Sequence, residues 1–263
     1  MRLLVINPVG HTKWDEQDKR LYESFAPHGT EIVLVSLPKG PPSVETSQAH
    51  REVIPLIIAK ANEMSGDFDA IAVNCFLDPA VDSLRRTTAK PAIGPCEASL
   101  AIAYLAGSRI GVVSVHNKAL WLVRERLREL DQGKRVKSVV SIPMGVLELD
   151  EDWDQTGRRV IEKSEELKAT HDVDVVCLGC TGLAGLAPTI RQAVGIPVID
   201  PIGATVKMAL AAVDLSACRS SATEKQSEQL CHKQRTDLLR KKTECESPNS
   251  LCFRTHKYQA FRG

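Results

Sequence analysis

Two cysteines stand where a thiol can do chemistry. Cys75 closes the apolar run Ile71-Ala72-Val73-Asn74 and precedes Phe76-Leu77-Asp78-Pro79. Cys180 closes a second apolar run and precedes the small-residue loop Thr181-Gly182-Leu183-Ala184-Gly185. Asp78 reads as an N-cap and Pro79 as the first residue of a helix. That sets the Cys75 thiol beside a helix N-terminus, where the dipole and free N–H groups favour a thiolate. Taken alone, such a cysteine is better read as a small core hydrophobe. Taken together, two thiols at matching strand ends can face each other across one cleft. One can remove a proton from a carbon and the other can return a proton to the opposite face, which is acid–base catalysis with two bases. No metal or organic cofactor is needed if the substrate already acidifies its C–H.

Other cysteines fit this chemistry less well. Cys177 and Cys180 have the Cys-x-x-Cys spacing, but within one strand an offset of three places the side chains on opposite faces, ~10 Å apart. A disulfide needs Cα atoms within about 7 Å, so Cys177 is expected to pack in the core. Cys96, read as ending a strand beside Glu97, is expected to be structural, and Glu97 to be a first-turn helix carboxylate. Cys218, Cys231, Cys245 and Cys252, with His232 and His256, do not have the paired spacing of a zinc knuckle.

The elements that must position the pair are legible as an α/β alternation. Apolar runs predict strands over 2–7, 31–37, 70–75, 92–96, 109–115, 137–142, 174–180 and 197–200. Most are continuously apolar, as strands covered on both faces should be. Helices are expected near 45–64, 79–88, 97–106, 117–130, 152–170, 183–194 and 202–213. This pattern predicts an α/β fold with parallel sheets flanked by helices. An internal repeat divides it. Cys75 is followed 20 residues on by Pro95, the end of Pro91-Ala92-Ile93-Gly94-Pro95, and Cys180 is followed 21 residues on by Pro201, the end of Pro197-Val198-Ile199-Asp200-Pro201. The expectation is therefore two pseudo-symmetric half-domains, residues 1–95 with 202–216 and residues 96–201, with the active site between them. Ligands of open α/β sheets sit at the carboxyl ends of strands. Asn7, Asn74, Phe76, Ser114, Thr181 and Gly182 are accordingly expected to bind substrate around Cys75 and Cys180. The loop Asn7-Pro8-Val9-Gly10-His11-Thr12 is not a phosphate-binding loop.

The motifs Asn74-Cys75-Phe76-x-Asp78-Pro79, Leu178-Gly179-Cys180-Thr181-Gly182 and Ile6-Asn7-Pro8 together resemble the aspartate/glutamate/hydantoin racemase superfamily, nearest to its hydantoin and allantoin racemase branch. The resemblance covers about residues 1–215. It implies a two-domain pseudo-symmetric fold, a cofactor-free mechanism with Cys75 and Cys180 as the catalytic pair, a hydantoin-like or amino-acid-derived substrate, and a homo-oligomer. The branch usually continues Asn-Pro-Asn-Thr, where this chain has Asn7-Pro8-Val9-Gly10. Two other readings belong to the same residues. One is a superfamily isomerase or decarboxylase of small diacids using one cysteine. The other is a non-catalytic binding module that keeps the cleft.

Composition narrows the partners. Aromatics are 4% of the chain and net charge is +1, so neither nucleic acid nor another polyanion is expected. No segment has the ~20 apolar residues of a membrane span, and no signal peptide is visible. A small-molecule substrate and a cytoplasmic location with reduced thiols follow as expectations. Residues 217–263 hold ten Lys/Arg against five Asp/Glu, leaving 24 against 28 in residues 1–216. That basic, aperiodic tail is expected to be a flexible appendage, and it has no counterpart in the family.

Overall fold

The computed structural model describes residues 1–64, 66 and 68–216. The expectations for the tail, the zinc question included, lie outside them. In chain order the elements are β1 (Arg2–Asn7), α1 (Asp15–Phe25), β2 (Glu31–Ser36), α2 (Ser47–Glu63), β3 (Ala70–Val73), α3 (Val81–Thr88), β4 (Ala92–Ile93), α4 (Pro95–Ala106), β5 (Ile110–Val115), α5 (Asn117–Glu129), β6 (Val136–Ile142), α6 (Trp153–His171), β7 (Val175–Leu178), α7 (Ala187–Val194) and β8 (Val198–Ile199). A last helix, α8, covers residues 201–216. The strands form two four-stranded sheets, β2-β1-β3-β4 and β6-β5-β7-β8, with the same order and every pair parallel. The expected fold class is what is observed. Among the described residues no helix is long and apolar enough to cross a membrane.

The continuous apolar strands have two covered faces each. Leu3, Val5, Ala70 and Ala72 of the first sheet share one core with Ile110, Val112, Val175 and Cys177 of the second. Leu100 and Ala103 of α4 and Ile202, Val206 and Ala209 of α8 belong to that same core. The alternate residues Leu4, Ile6, Ile71 and Val73 pack outward on Val53 and Ile57 of α2 and Leu84 of α3. Val113, Val176 and Leu178 pack outward on Val160 and Leu167 of α6 and Ile190 of α7. Side chains alternate faces along a strand, so both sets must be apolar. Cys177 is fully buried at the shared core, as expected, with its thiol 3.9 Å from the Ser99 carbonyl.

Three local expectations are corrected. The first is Asp78, which does not cap the helix that follows it. It sits at φ 49° in a turn, and α3 starts only at Val81. Its carboxylate instead caps α4, accepting from the Cys96 N–H at 2.9 Å and the Glu97 N–H at 3.1 Å. The second is Cys96, which lies in the first turn of α4 rather than at a strand end. There Glu97 accepts from the Gly94 N–H at 3.2 Å, as a first-turn carboxylate should. The third is α1, a helix that the apolar pattern did not reveal, since Leu21, Tyr22 and Phe25 are its only large apolar residues.

Asp78 also explains an asymmetry of the repeat. Asp200, the residue before α8, caps that helix itself through the Ile202 and Gly203 N–H groups, both at 3.0 Å. Gly94 holds the matching place before α4, and a Cβ there would lie 2.2 Å from the Asp78 carboxyl carbon. A neighbouring carboxylate thus fills the space that a side chain fills in the second half. Burial pushes Asp78 up to about 7, against the opposing effect of Arg126 and the two N–H groups. Arg126 donates to Asp78 Oδ2 through both Nε and Nη2 at 3.2 Å, and only 9% of its side chain is exposed. Removing one member of a buried pair strands the other charge, at ~3 kcal/mol or more. Arg126→Met is expected to destabilise the protein by about that amount in urea unfolding, and adding Asp78→Asn to recover part of the loss. Unchanged stability in Arg126→Met would contradict this account of the α4 cap.

Candidate active site

The carboxyl ends of the inner strands of the two sheets open on one cleft, a cavity of about 90 Å³. All eight residues expected from the sequence line it: Asn7, Asn74, Cys75, Phe76, Ser114, Cys180, Thr181 and Gly182. The first four come from the ends of β1 and β3 and the last four from the ends of β5 and β7. The halves touch here, where the Thr181 hydroxyl donates to the Asn74 carbonyl at 3.3 Å.

Cys180 lies two residues beyond the end of β7, and Gly179 lets it get there. The Gly179 N–H donates to the Val113 carbonyl at 2.7 Å. A Cβ at Gly179 would lie 2.7 Å from Val112 Cγ1 and 3.1 Å from that carbonyl oxygen. Only glycine lets the chain pass β5 so closely before turning into the cleft. Ser114, 1% exposed, donates to the Gly179 carbonyl at 3.3 Å and braces the same turn.

Burial pushes Cys75 and Cys180 up to about 12. The Leu77 N–H works against this at Cys75, and the Gly182 and Leu183 N–H groups work against it at Cys180. Negative charge adds to the rise. An ionised Cys180 raises Cys75, as does Asp78, while Glu45 and Asp18 raise Cys180. The expectation of a thiolate stabilised by a helix N-terminus is therefore corrected. α3 begins six residues after Cys75, and desolvation outweighs the single N–H at the sulfur. Cys180 lies near enough for its charge to act on Cys75 across the cavity.

The part of the site that sequence reasoning missed lies on α1. Asp18 lines the cleft, and its Oδ2 accepts from Asn7 Nδ2 at 3.1 Å and Asn74 Nδ2 at 3.0 Å. Asn74 Nδ2 also donates to Asn7 Oδ1 at 2.7 Å, and the fully buried Tyr22 hydroxyl donates to Asn74 Oδ1 at 3.2 Å. Asn7 Nδ2 reaches Asp15 at 3.0 Å, which the Ser36 hydroxyl also holds. Burial pushes Asp18 up to about 7 against these amides, with Asp15 and Asp150 adding to the rise. The two asparagine amides thus turn inward to hold Asp18. The signal available was the pair Asp18 and Tyr22 at helical spacing, which requires α1 to be assigned first.

The rim is closed by polar contacts between distant segments. The Trp14 indole donates to Asp150 at 2.8 Å, and Glu45 accepts from the Val146 N–H at 3.1 Å and the Ser43 hydroxyl at 2.6 Å. In the loop after β1 the Gly10 N–H donates to the Pro41 carbonyl at 3.1 Å, so that amide is not offered to the cleft. Trp14, Glu45 and Asp150 all line the cavity, and among the described residues no Lys, Arg or His does.

A family model described as Asp/Glu/Hydantoin racemase matches residues 3–209. A hydantoin racemase from Pseudomonas sp. (strain NS671) is 31% identical over 224 residues, covering 82% of this chain and 87% of that protein. The crystal structure of allantoin racemase from Pseudomonas fluorescens superposes with a TM-score of 0.79 at 29% identity, covering 82% of this chain and 92% of that one. Allantoin racemase from Klebsiella pneumoniae gives 0.77 at 26% identity, covering 82% and 89%. With the match running through both sheets and both cysteine turns, this chain belongs to the Asp/Glu/hydantoin racemase family.

Proposed function

We propose that the protein is a cofactor-independent racemase or epimerase in which Cys75 and Cys180 act as opposed base and acid on a small hydantoin-like or amino-acid-derived substrate. The observation that carries this reading is the placement of two thiols, from repeat-related strand ends, on one cavity. The similarity to hydantoin and allantoin racemases supports the substrate class.

The chemistry needs one thiolate and one thiol. The thiolate takes the proton from the carbon beside a carbonyl, and the electron pair delocalises into that carbonyl. The facing thiol then gives its proton to the opposite side of the carbon. The configuration is inverted and the two sulfurs have exchanged protonation states. The reverse reaction uses them in the opposite roles. A thiolate whose acid has a pKa near 12 is a stronger base than an ordinary thiolate but is present in a smaller share of sites at neutral pH. The Leu77 N–H on one side and the Gly182 and Leu183 N–H groups on the other favour whichever sulfur is ionised. A reaction using one cysteine would leave the second thiol without a role.

Cys75→Ala and Cys180→Ala are each expected to lower racemisation of a 5-substituted hydantoin ~10³-fold, read by chiral chromatography under reductant. Normal racemisation by both variants would sink the proposal. The pH profile follows from the raised thiols, since the reactive base is the ionised form. At pH 7 only about one site in 10⁵ carries the thiolate, and that share rises tenfold per pH unit below 12. kcat/KM in the free enzyme is expected to climb from pH 7 to pH 9 without levelling. A plateau reached below pH 8 would contradict buried, protonated thiols. Activity in EDTA is expected to equal that without it, and its loss would contradict the cofactor-free mechanism.

A further inference from the structure

Asp18 makes a pattern of contacts that the reaction above does not use. Its Oδ2 takes both asparagine amides, and those amides are fixed in turn by Tyr22 and by each other. The carboxylate plane is thereby set. The other oxygen, Oδ1, has no protein donor among the described residues, yet Asp18 is part of the cavity wall close enough to Cys180 for its charge to act on that thiol. The other carboxylates at the cleft are engaged in contacts that close the rim. Glu45 holds Val146 and Ser43, and Asp150 holds Trp14.

We propose that Asp18 selects the substrate: its Oδ1 accepts a hydrogen bond from the N–H attached to the reacting carbon, so the cleft takes uncharged cyclic amides and ureides that carry that N–H. The inference rests on the racemase reading for the identity of the reacting carbon. Three features support it. An acceptor braced through one oxygen offers the other at little further ordering cost. A ligand carboxylate would enter beside Asp18, Glu45 and Asp150, with no cation among the described residues of the wall to receive it. A ligand that lacks the N–H leaves a half-buried carboxylate oxygen without a donor, and sites built to hydrogen-bond a group discriminate strongly against its absence. The groups facing Asp18 are Asn7, Asp15, Tyr22, Asn74, Asp150 and Cys180. All of the ionisable ones among them are acids. A neutral N–H is therefore the donor that the site lacks.

The test compares 5-methylhydantoin with its N1-methyl derivative, in wild type and in Asp18→Asn. In the variant the amide oxygen can satisfy Asn7 and Asn74, which turns an NH₂ donor toward the ligand. Wild type should favour the parent compound at least about 30-fold in kcat/KM, mostly through KM. Asp18→Asn should lower kcat/KM for the parent by at least about tenfold and shrink that preference to within about threefold. A merely structural role would lower both substrates alike and leave the ratio standing. A wild-type ratio near one overturns the proposal without any variant, and so does a ratio preserved in Asp18→Asn. Exchange of the α-hydrogen of aspartate or glutamate as fast as that of 5-methylhydantoin also overturns it. Calorimetric Kd values for the same two compounds separate this claim from the racemase reading. A binding preference without any C–H exchange keeps Asp18 and overturns the racemase, and binding of neither overturns both.

Discussion

The site depends on the apolar seam that joins the two sheets. Val5 and Ala72 on one side and Val112 and Cys177 on the other share a single core with α4 and α8. Each sheet is small and would bury little apolar surface alone. Packed on the same two helices, the sheets hold their carboxyl ends together, and the strand ends that carry Cys75 and Cys180 come to line one cavity. The Thr181–Asn74 hydrogen bond is the polar counterpart of that seam at the mouth of the site. Burial of Cys180 and partial burial of Cys75 follow from the same packing, and so does the rise in their pKa.

The strands were legible because this architecture covers both of their faces, which makes apolarity continuous rather than alternating. The cysteine pair was legible because the repeat places both thiols at equivalent turns, where a lone thiol would have read as packing. What was not legible depended on contacts distant in sequence. Asp78 caps α4 because Arg126, 48 residues away, and the side-chain-free Gly94 make room for it there. The sequence beside Asp78 suggested only its own neighbouring helix. α1 was missed because eight of its eleven residues are polar or charged. With α1 went Asp18, whose role is visible only once Asn7 and Asn74 are seen to turn toward it. The thiol pKa was misread for a related reason, since a helix terminus can be guessed from local sequence but burial cannot.

In the proposed mechanism the polar inventory of the cleft divides into groups that react and groups that hold. The two sulfurs face the cavity with few polar partners, while Asn7, Asn74, Tyr22 and Asp15 are spent on fixing Asp18. Ser114 and Gly179 are spent on the turn that delivers Cys180. A rigid wall of this kind suits a reaction in which the substrate carbon moves little and two protons move. The loop after β1 adds Pro8 and Val9 to the cavity wall beside Asn7, while the Gly10 N–H is bound to Pro41.

The central claim is that two bases work on opposite faces of one carbon. Each pure enantiomer of an active substrate should be turned over in deuterium oxide, with both enantiomer pools followed by chiral separation and mass spectrometry at early conversion. The account predicts that product carries one solvent deuterium while the remaining substrate keeps its protium, in both directions. Deuterium entering unreacted substrate as fast as product forms would show a single base serving both faces, and would contradict the account.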